Sequence, residues 1–73
     1  MRLGRRLRQL RSARDLSQAE LGMPHFDRRY VSAVELATIM PSLGALLHFA
    51  RTLRVSLSIL LRDVDPPISR PPR

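Results

Sequence analysis

The sequence predicts an all-α fold, a compact bundle of five short helices. Serine or aspartate recurs just ahead of partly apolar segments, at Ser17, Asp27, Ser42 and Ser56, where a side-chain oxygen can cap a starting helix. Within the segments the apolar residues return at spacings of three and four, the period of a helix face. Prolines stand between segments at Pro24 and Pro41, and four of the six lie after Asp63. A length of 73 residues suits one small domain.

The first element is RLGRRLRQLRSAR, Arg2 to Arg14, with Leu3, Leu7 and Leu10 forming an apolar stripe. The surrounding arginines read mainly as a solvated face. Gly4 weakens the opening turn by up to about 1 kcal/mol, so firm helix is expected from near Arg5. Asp15 and Leu16 break this helix. Ser17 and Glu20 then form an S-x-x-E capping box, with Leu16 and Leu21 as its hydrophobic staple. The second helix is expected to stop near Gly22 or Met23, because Pro24 cannot donate an interior helix hydrogen bond.

The third element is DRRYVSAVE, Asp27 to Glu35. Asp27 is a favoured N-cap, and Phe26 and Val31 occupy the two staple positions. Val31 and Val34 lie three apart and face inward, while Arg28, Arg29 and Ser32 point elsewhere. The leading end of this helix is therefore basic and exposed. A fourth helix begins at Pro41 and Ser42, with Leu43, Leu46, Leu47, Ala50 and Leu53 assigned to the core face and His48 to the other side. Ser56 caps a fifth helix, 56–61, in which Leu57, Leu60 and Leu61 seal the core and Ile59 faces another way. Residues 1–62 make the domain. DVDPPISRPPR, 63–73, reads as an extended Pro/Arg-rich tail.

Composition narrows the partners. Thirteen basic residues against six acidic give a formal charge of +7, and every basic residue is arginine. That excess favours a polyanion, nucleic acid before membrane, and arginine suits bidentate contacts to phosphate and guanine. With no cysteine, disulfides and thiolate metal sites are excluded. His25 and His48 are lone histidines, read as solvated, with no metal role. No apolar run approaches the roughly 18 to 20 residues of a membrane span, and a cytoplasmic setting is expected. Asp15, Ser17 and His25 are close in sequence but have no reason to converge, and no glycine loop for phosphate is present. No enzyme activity, cofactor or small-molecule substrate is expected.

The second and third helices begin about ten residues apart with a short link. That is the spacing of a helix-turn-helix, in which one helix crosses the DNA backbone and the next enters the major groove. Taken in order, LGRRLRQLRSARDLSQAEL, DRRYVSAVE and PSLGALLHFARTLRVSLSILL resemble the phage repressor and Cro-like helix-turn-helix family over about residues 3 to 61. The resemblance implies a five-helix bundle of the lambda-repressor-like DNA-binding type.

It also implies roles. Gln18 falls where the family sets a polar side chain against a DNA phosphate, and Arg28 and Arg29 where it reads base edges. Ala33 faces the groove, Ser32 is placed as a phosphate donor, and Tyr30 lies against the sugar-phosphate backbone or caps the core. With Asp27 at the helix start, these residues make up the expected DNA-binding surface. Arg11 and Glu35 match a structural salt bridge between the first and third helices.

The sequence departs from the family at three places. GMPHF is one residue shorter than the usual link and lacks its turn glycine. Ala37 replaces a glycine after the third helix, so that helix is expected to run on towards Ile39 and stop before Pro41. Arg54 replaces the glycine that closes the fourth helix. The expected function is a sequence-specific regulator of double-stranded DNA, a homodimer joined through helix 56–61. The alternative is an antitoxin-like or adaptor module that holds a partner through Ile39, Met40 and the fifth helix.

Overall fold

The structure, a computed structural model, describes residues 2–62. The proposed tail, 63–73, lies outside the described residues. Five helices follow one another: α1 (Arg2–Ala13), α2 (Gln18–Gly22), α3 (Arg28–Glu35), α4 (Leu43–Leu53) and α5 (Leu57–Leu60). No strand occurs among the described residues, so the all-α, five-helix expectation holds.

Four helix starts follow the capping pattern. The Ser17 hydroxyl accepts from the Glu20 N–H at 3.0 Å, and the Glu20 carboxylate accepts from the Ser17 N–H at 2.8 Å, completing the capping box. The carboxylate of Asp27 and the hydroxyls of Ser42 and Ser56 accept from the amides of Tyr30, Ala45 and Ile59.

The core lies where α1, α3, α4 and α5 converge. Leu3 and Leu7 of α1, Val31 and Val34 of α3, Phe49 and Leu53 of α4, and Leu60 of α5 are buried, with Leu21 of α2. A leucine or phenylalanine removed from water in this way contributes roughly 1.5 to 3 kcal/mol. The stripe assigned to α4 is corrected. Leu43 and Leu47 are exposed, and Ala45 and Phe49 turn inward in their place, beside Ala50 and Leu53. The helix is rotated about its axis relative to the leucine stripe. The large Phe49 ring fills the interior, and small Ala45 and Ala50 permit close approach.

Gly4 corrects the start of α1. The helix is intact from Arg2, and Gly4 is buried against the end of α3. A Cβ at Gly4 would stand 2.5 Å from the Glu35 carbonyl oxygen and 2.7 Å from that of Val34. The glycine costs helix propensity but lets two backbones touch.

Three helices end alike. Leu16 N–H donates to Arg11 O and Asp15 N–H to Ser12 O after α1; Thr38 donates to Ala33 and Ala37 to Val34 after α3; Val55 donates to Ala50 and Arg54 to Arg51 after α4. These nested bonds form Schellman endings, each with one residue in the left-handed region: Asp15 at φ 55°, Ala37 at φ 63° and Arg54 at φ 59°. The expected extension of α3 towards Ile39 therefore does not occur. Ala37 takes the glycine-favouring conformation because the nested bonds, a further one from Thr38 Oγ1 to Ala33 O at 3.1 Å, and burial of Pro41 together outweigh a cost of about 1 kcal/mol.

Candidate nucleic-acid interface

The interface is built on α3, and the residues that fix this helix come from every side. At its C-terminal end the Glu35 carboxylate is nearly closed off from solvent, with 4% of its side chain exposed. It accepts from Arg11 Nε at 2.6 Å, from Arg11 Nη2 at 3.1 Å and from Gln18 Nε2 at 3.1 Å. The Arg11 Nη1 donates to the Leu16 carbonyl at 2.8 Å. One carboxylate thus joins α1, the α1–α2 link, α2 and the end of α3. No buried side-chain nitrogen or oxygen lacks a partner among the described residues.

At the other end, the short GMPHF link is held by aromatic packing. Phe26 stacks on Tyr30 with centroids 4.8 Å apart and planes at 20°, and meets Phe49 of α4 at 5.8 Å. The Tyr30 hydroxyl accepts from the Ser42 N–H at 3.4 Å. His48 is not solvated as expected: it is half-buried, its Nε2 lies 3.0 Å from the Leu21 carbonyl oxygen, and its ring packs edge-on against Phe26 and Phe49. It ties α4 to the last turn of α2. His25 is exposed, with its ring 5.5 Å from that of His48. Among the described residues no group of three or more metal-ligating side chains comes together.

The turn closes without the usual glycine because Gly22 sits at its entry. A Cβ there would meet Val31 Cγ2 at 3.1 Å and Phe26 Cβ at 3.3 Å. His25 and Phe26 both donate their amides to the Gly22 carbonyl. α2 ends at Gly22, as expected ahead of Pro24, and the turn leaves Arg28 and Arg29 exposed.

Arg28 and Arg29 are exposed at the first turn of α3. With Ser32, Ala33, Leu36 and Thr38 they line one shallow depression. Two guanidinium groups at the rim of such a surface can donate paired hydrogen bonds to O6 and N7 of guanine, or hold a phosphate oxygen. The other residues singled out in the sequence have prior engagements. The Asp27 carboxylate caps α3, Tyr30 is half-buried in the aromatic cluster, and the amide of Gln18 is spent on Glu35. The structure thus brings Arg28, Arg29, Ser32 and Ala33 together and sets Gln18, Asp27 and Tyr30 in supporting positions.

Leu36 and Thr38 line the depression as well, and the sequence assigns them no role. The signal was in the spacing: Leu36 stands three residues after Ala33 and seven after Arg29, on the same helical face. Exposed leucine is common enough that this spacing alone did not mark it.

A family model described as a helix-turn-helix domain matches residues 2–60. Comparison with curated proteins and with solved structures gave no match. No helix among the described residues is long and apolar enough to cross a membrane.

Proposed function

The chain belongs to the helix-turn-helix domain family, and on that footing we propose that it is a sequence-specific regulator of double-stranded DNA, of the phage repressor and Cro-like type. The single observation that carries this reading is the exposure of Arg28 and Arg29 at the start of α3, on the rim of the depression that includes Ser32 and Ala33. A helix of eight residues spans about 12 Å, enough for its leading end to enter a major groove about 12 Å wide while α2 crosses the backbone. The +7 charge supports attraction to the phosphates. In this role Arg28 and Arg29 read bases or hold phosphate, Ser32 donates to phosphate, and Ala33 borders the bases. Asp27 and Tyr30 fix the helix start. Gln18 reaches phosphate from the start of α2 if the duplex displaces it from Glu35.

The proposed working form is a homodimer in the cytoplasm, paired through α5 so that two copies of α3 address half-sites about 34 Å apart. It is non-catalytic and takes no cofactor. Selection of bound duplexes from a random pool tests the reading: a recurring, near-palindromic motif is the expected result, and retention of the pool without enrichment would refute sequence-specific binding.

The antitoxin-like or adaptor reading has one observation in its favour, the exposure of Met40, Leu43 and Leu47. On that reading Arg28→Ala and Arg29→Ala leave partner binding intact, and Ile39→Asp or Ile59→Asp abolishes it.

A further inference from the structure

Leu36 closes α3 as its C-cap residue, yet its side chain is 68% exposed. It does not turn back into the core beside Val34. It lines the same depression as Arg28, Arg29, Ser32 and Ala33. This surface is therefore divided along its length: charged donors stand at the leading end, and two apolar side chains, Ala33 and Leu36, lie towards the trailing end. No side-chain donor or acceptor lies between them, because Val34 is buried and Glu35 is turned to Arg11 and Gln18.

The largest apolar group that a DNA major groove offers an exposed leucine is the C5 methyl group of thymine. Leucine would leave the donors and acceptors of the groove floor unpaired, and the C5–H of cytosine offers it a much smaller apolar contact. Resting on the proposed DNA-binding function, we infer that Leu36, with Ala33, forms a methyl-recognition site that specifies thymine at the trailing end of the recognition helix. Thr38 borders the same surface, and its hydroxyl is engaged by the Ala33 carbonyl, which leaves its methyl group free to extend the apolar wall. Specificity then comes from two unlike terms: the arginine fork reads guanine by hydrogen bonds, and Leu36 reads thymine by burial. Leu36 stands about 10 to 12 Å along the helix axis from Arg28 and Arg29, so the thymine it reads is a different base from any that the arginines reach.

The test uses the duplex selected from a random pool by the full chain. Each thymine of the selected half-site is replaced in turn by deoxyuridine, which removes only the methyl group. One replacement is expected to weaken binding three- to fivefold, the effect of one methyl group lost from a buried contact. Leu36→Ala should shrink the difference in affinity between the thymine and deoxyuridine duplexes, leaving only the smaller contact made by Ala33. Leu36 lies outside the core, so circular dichroism should show unchanged helix content in this variant. If no replacement weakens binding, the methyl site is refuted and the DNA-binding function stands. A deoxyuridine penalty that is undiminished in the Leu36→Ala variant refutes the assignment to Leu36. If the pool yields no motif, the function itself fails, and this inference with it.

Discussion

The guanidinium group of Arg11 meets the carboxylate of Glu35 through two hydrogen bonds, from Nε at 2.6 Å and from Nη2 at 3.1 Å. This bidentate contact fixes the end of α3 against α1, and the Gly4 approach fixes the same end through the backbone. α3 is thereby anchored at its trailing end. Its leading end is anchored separately, by Phe26 and Tyr30 against Phe49. The arginines at that leading end can take part in DNA contacts without also having to hold the fold.

The first prediction concerns the ion pair. Arg11→Ala leaves a carboxylate that is almost wholly buried with only the Gln18 amide to solvate it. Removing one partner of such a pair typically costs about 3 to 5 kcal/mol. A domain of this size has roughly 4 to 11 kcal/mol in total, so the variant should lose a large share of its stability and unfold at a much lower denaturant concentration. Urea unfolding followed by circular dichroism measures the loss. Pairing Arg11→Met with Glu35→Leu should recover most of it, because both charges are then absent.

The second contrasts two glycines. Gly4→Ala places a Cβ within 2.7 Å of two backbone carbonyl oxygens, and a backbone cannot swing aside as a flexible side chain can. The expected cost is about 1 to 3 kcal/mol, despite alanine's better helix propensity. At Gly44 the nearest atom to a new Cβ is the Ser42 hydroxyl oxygen, 3.9 Å away. Gly44→Ala should therefore stabilise by about 0.5 to 1 kcal/mol. Opposite signs in thermal melts are the expected outcome. A stabilised Gly4→Ala variant would overturn the close approach of α1 to α3.

The two glycines also mark the boundary of what sequence could reveal. Helix starts were legible because a cap and its staple lie within five residues of each other, as at Ser17 and Asp27. The inward faces of α1 and α3 were legible from apolar spacings of three and four, Leu3, Leu7 and Leu10 in one and Val31 and Val34 in the other. What was misread depended on partners distant in sequence. Gly4 looked like a weak first turn because Val34 and Glu35, thirty residues away, are invisible from its neighbourhood. Leu43 and Leu47 looked like core because α4 is apolar on several faces, and only packing against α2 and α5 selects Ala45 and Phe49. His48 looked solvated because its hydrogen-bond partner is the backbone of Leu21. Around the recognition surface, Arg28 and Arg29 stood out by charge, whereas Leu36 acquires meaning only from the depression it shares with them.

The third prediction tests the left-handed helix endings. Ala37 adopts φ 63°, where a Cβ is crowded by the following carbonyl oxygen and glycine is not. Ala37→Gly should relieve this strain and stabilise by about 1 kcal/mol, raising the melting temperature by about 4 to 8 °C. Differential scanning calorimetry provides the check. Ala33→Gly, within α3 where φ is helical, should destabilise by a similar amount, so the gain at Ala37 cannot come from glycine as such.

The last prediction separates the two arginines. Adjacent residues on a helix diverge by about 100°, so Arg28 and Arg29 cannot both lie over the same base pair. One is expected to read a base and the other to hold phosphate. Alanine at the base reader should weaken binding to the selected duplex by about 1 to 3 kcal/mol and relax preference at one position. Alanine at the phosphate holder should weaken binding about equally for all sequences and reduce the salt dependence by about one phosphate. Lysine restores the second loss, since it keeps the charge, and fails to restore the first, since it lacks the planar fork that guanine pairs with. Titrations of the alanine and lysine variants at several salt concentrations, against selected and scrambled duplexes, identify each role. If both alanine variants lose affinity uniformly, neither residue reads a base, and the burden of sequence recognition moves along α3 to Ser32, Ala33 and Leu36.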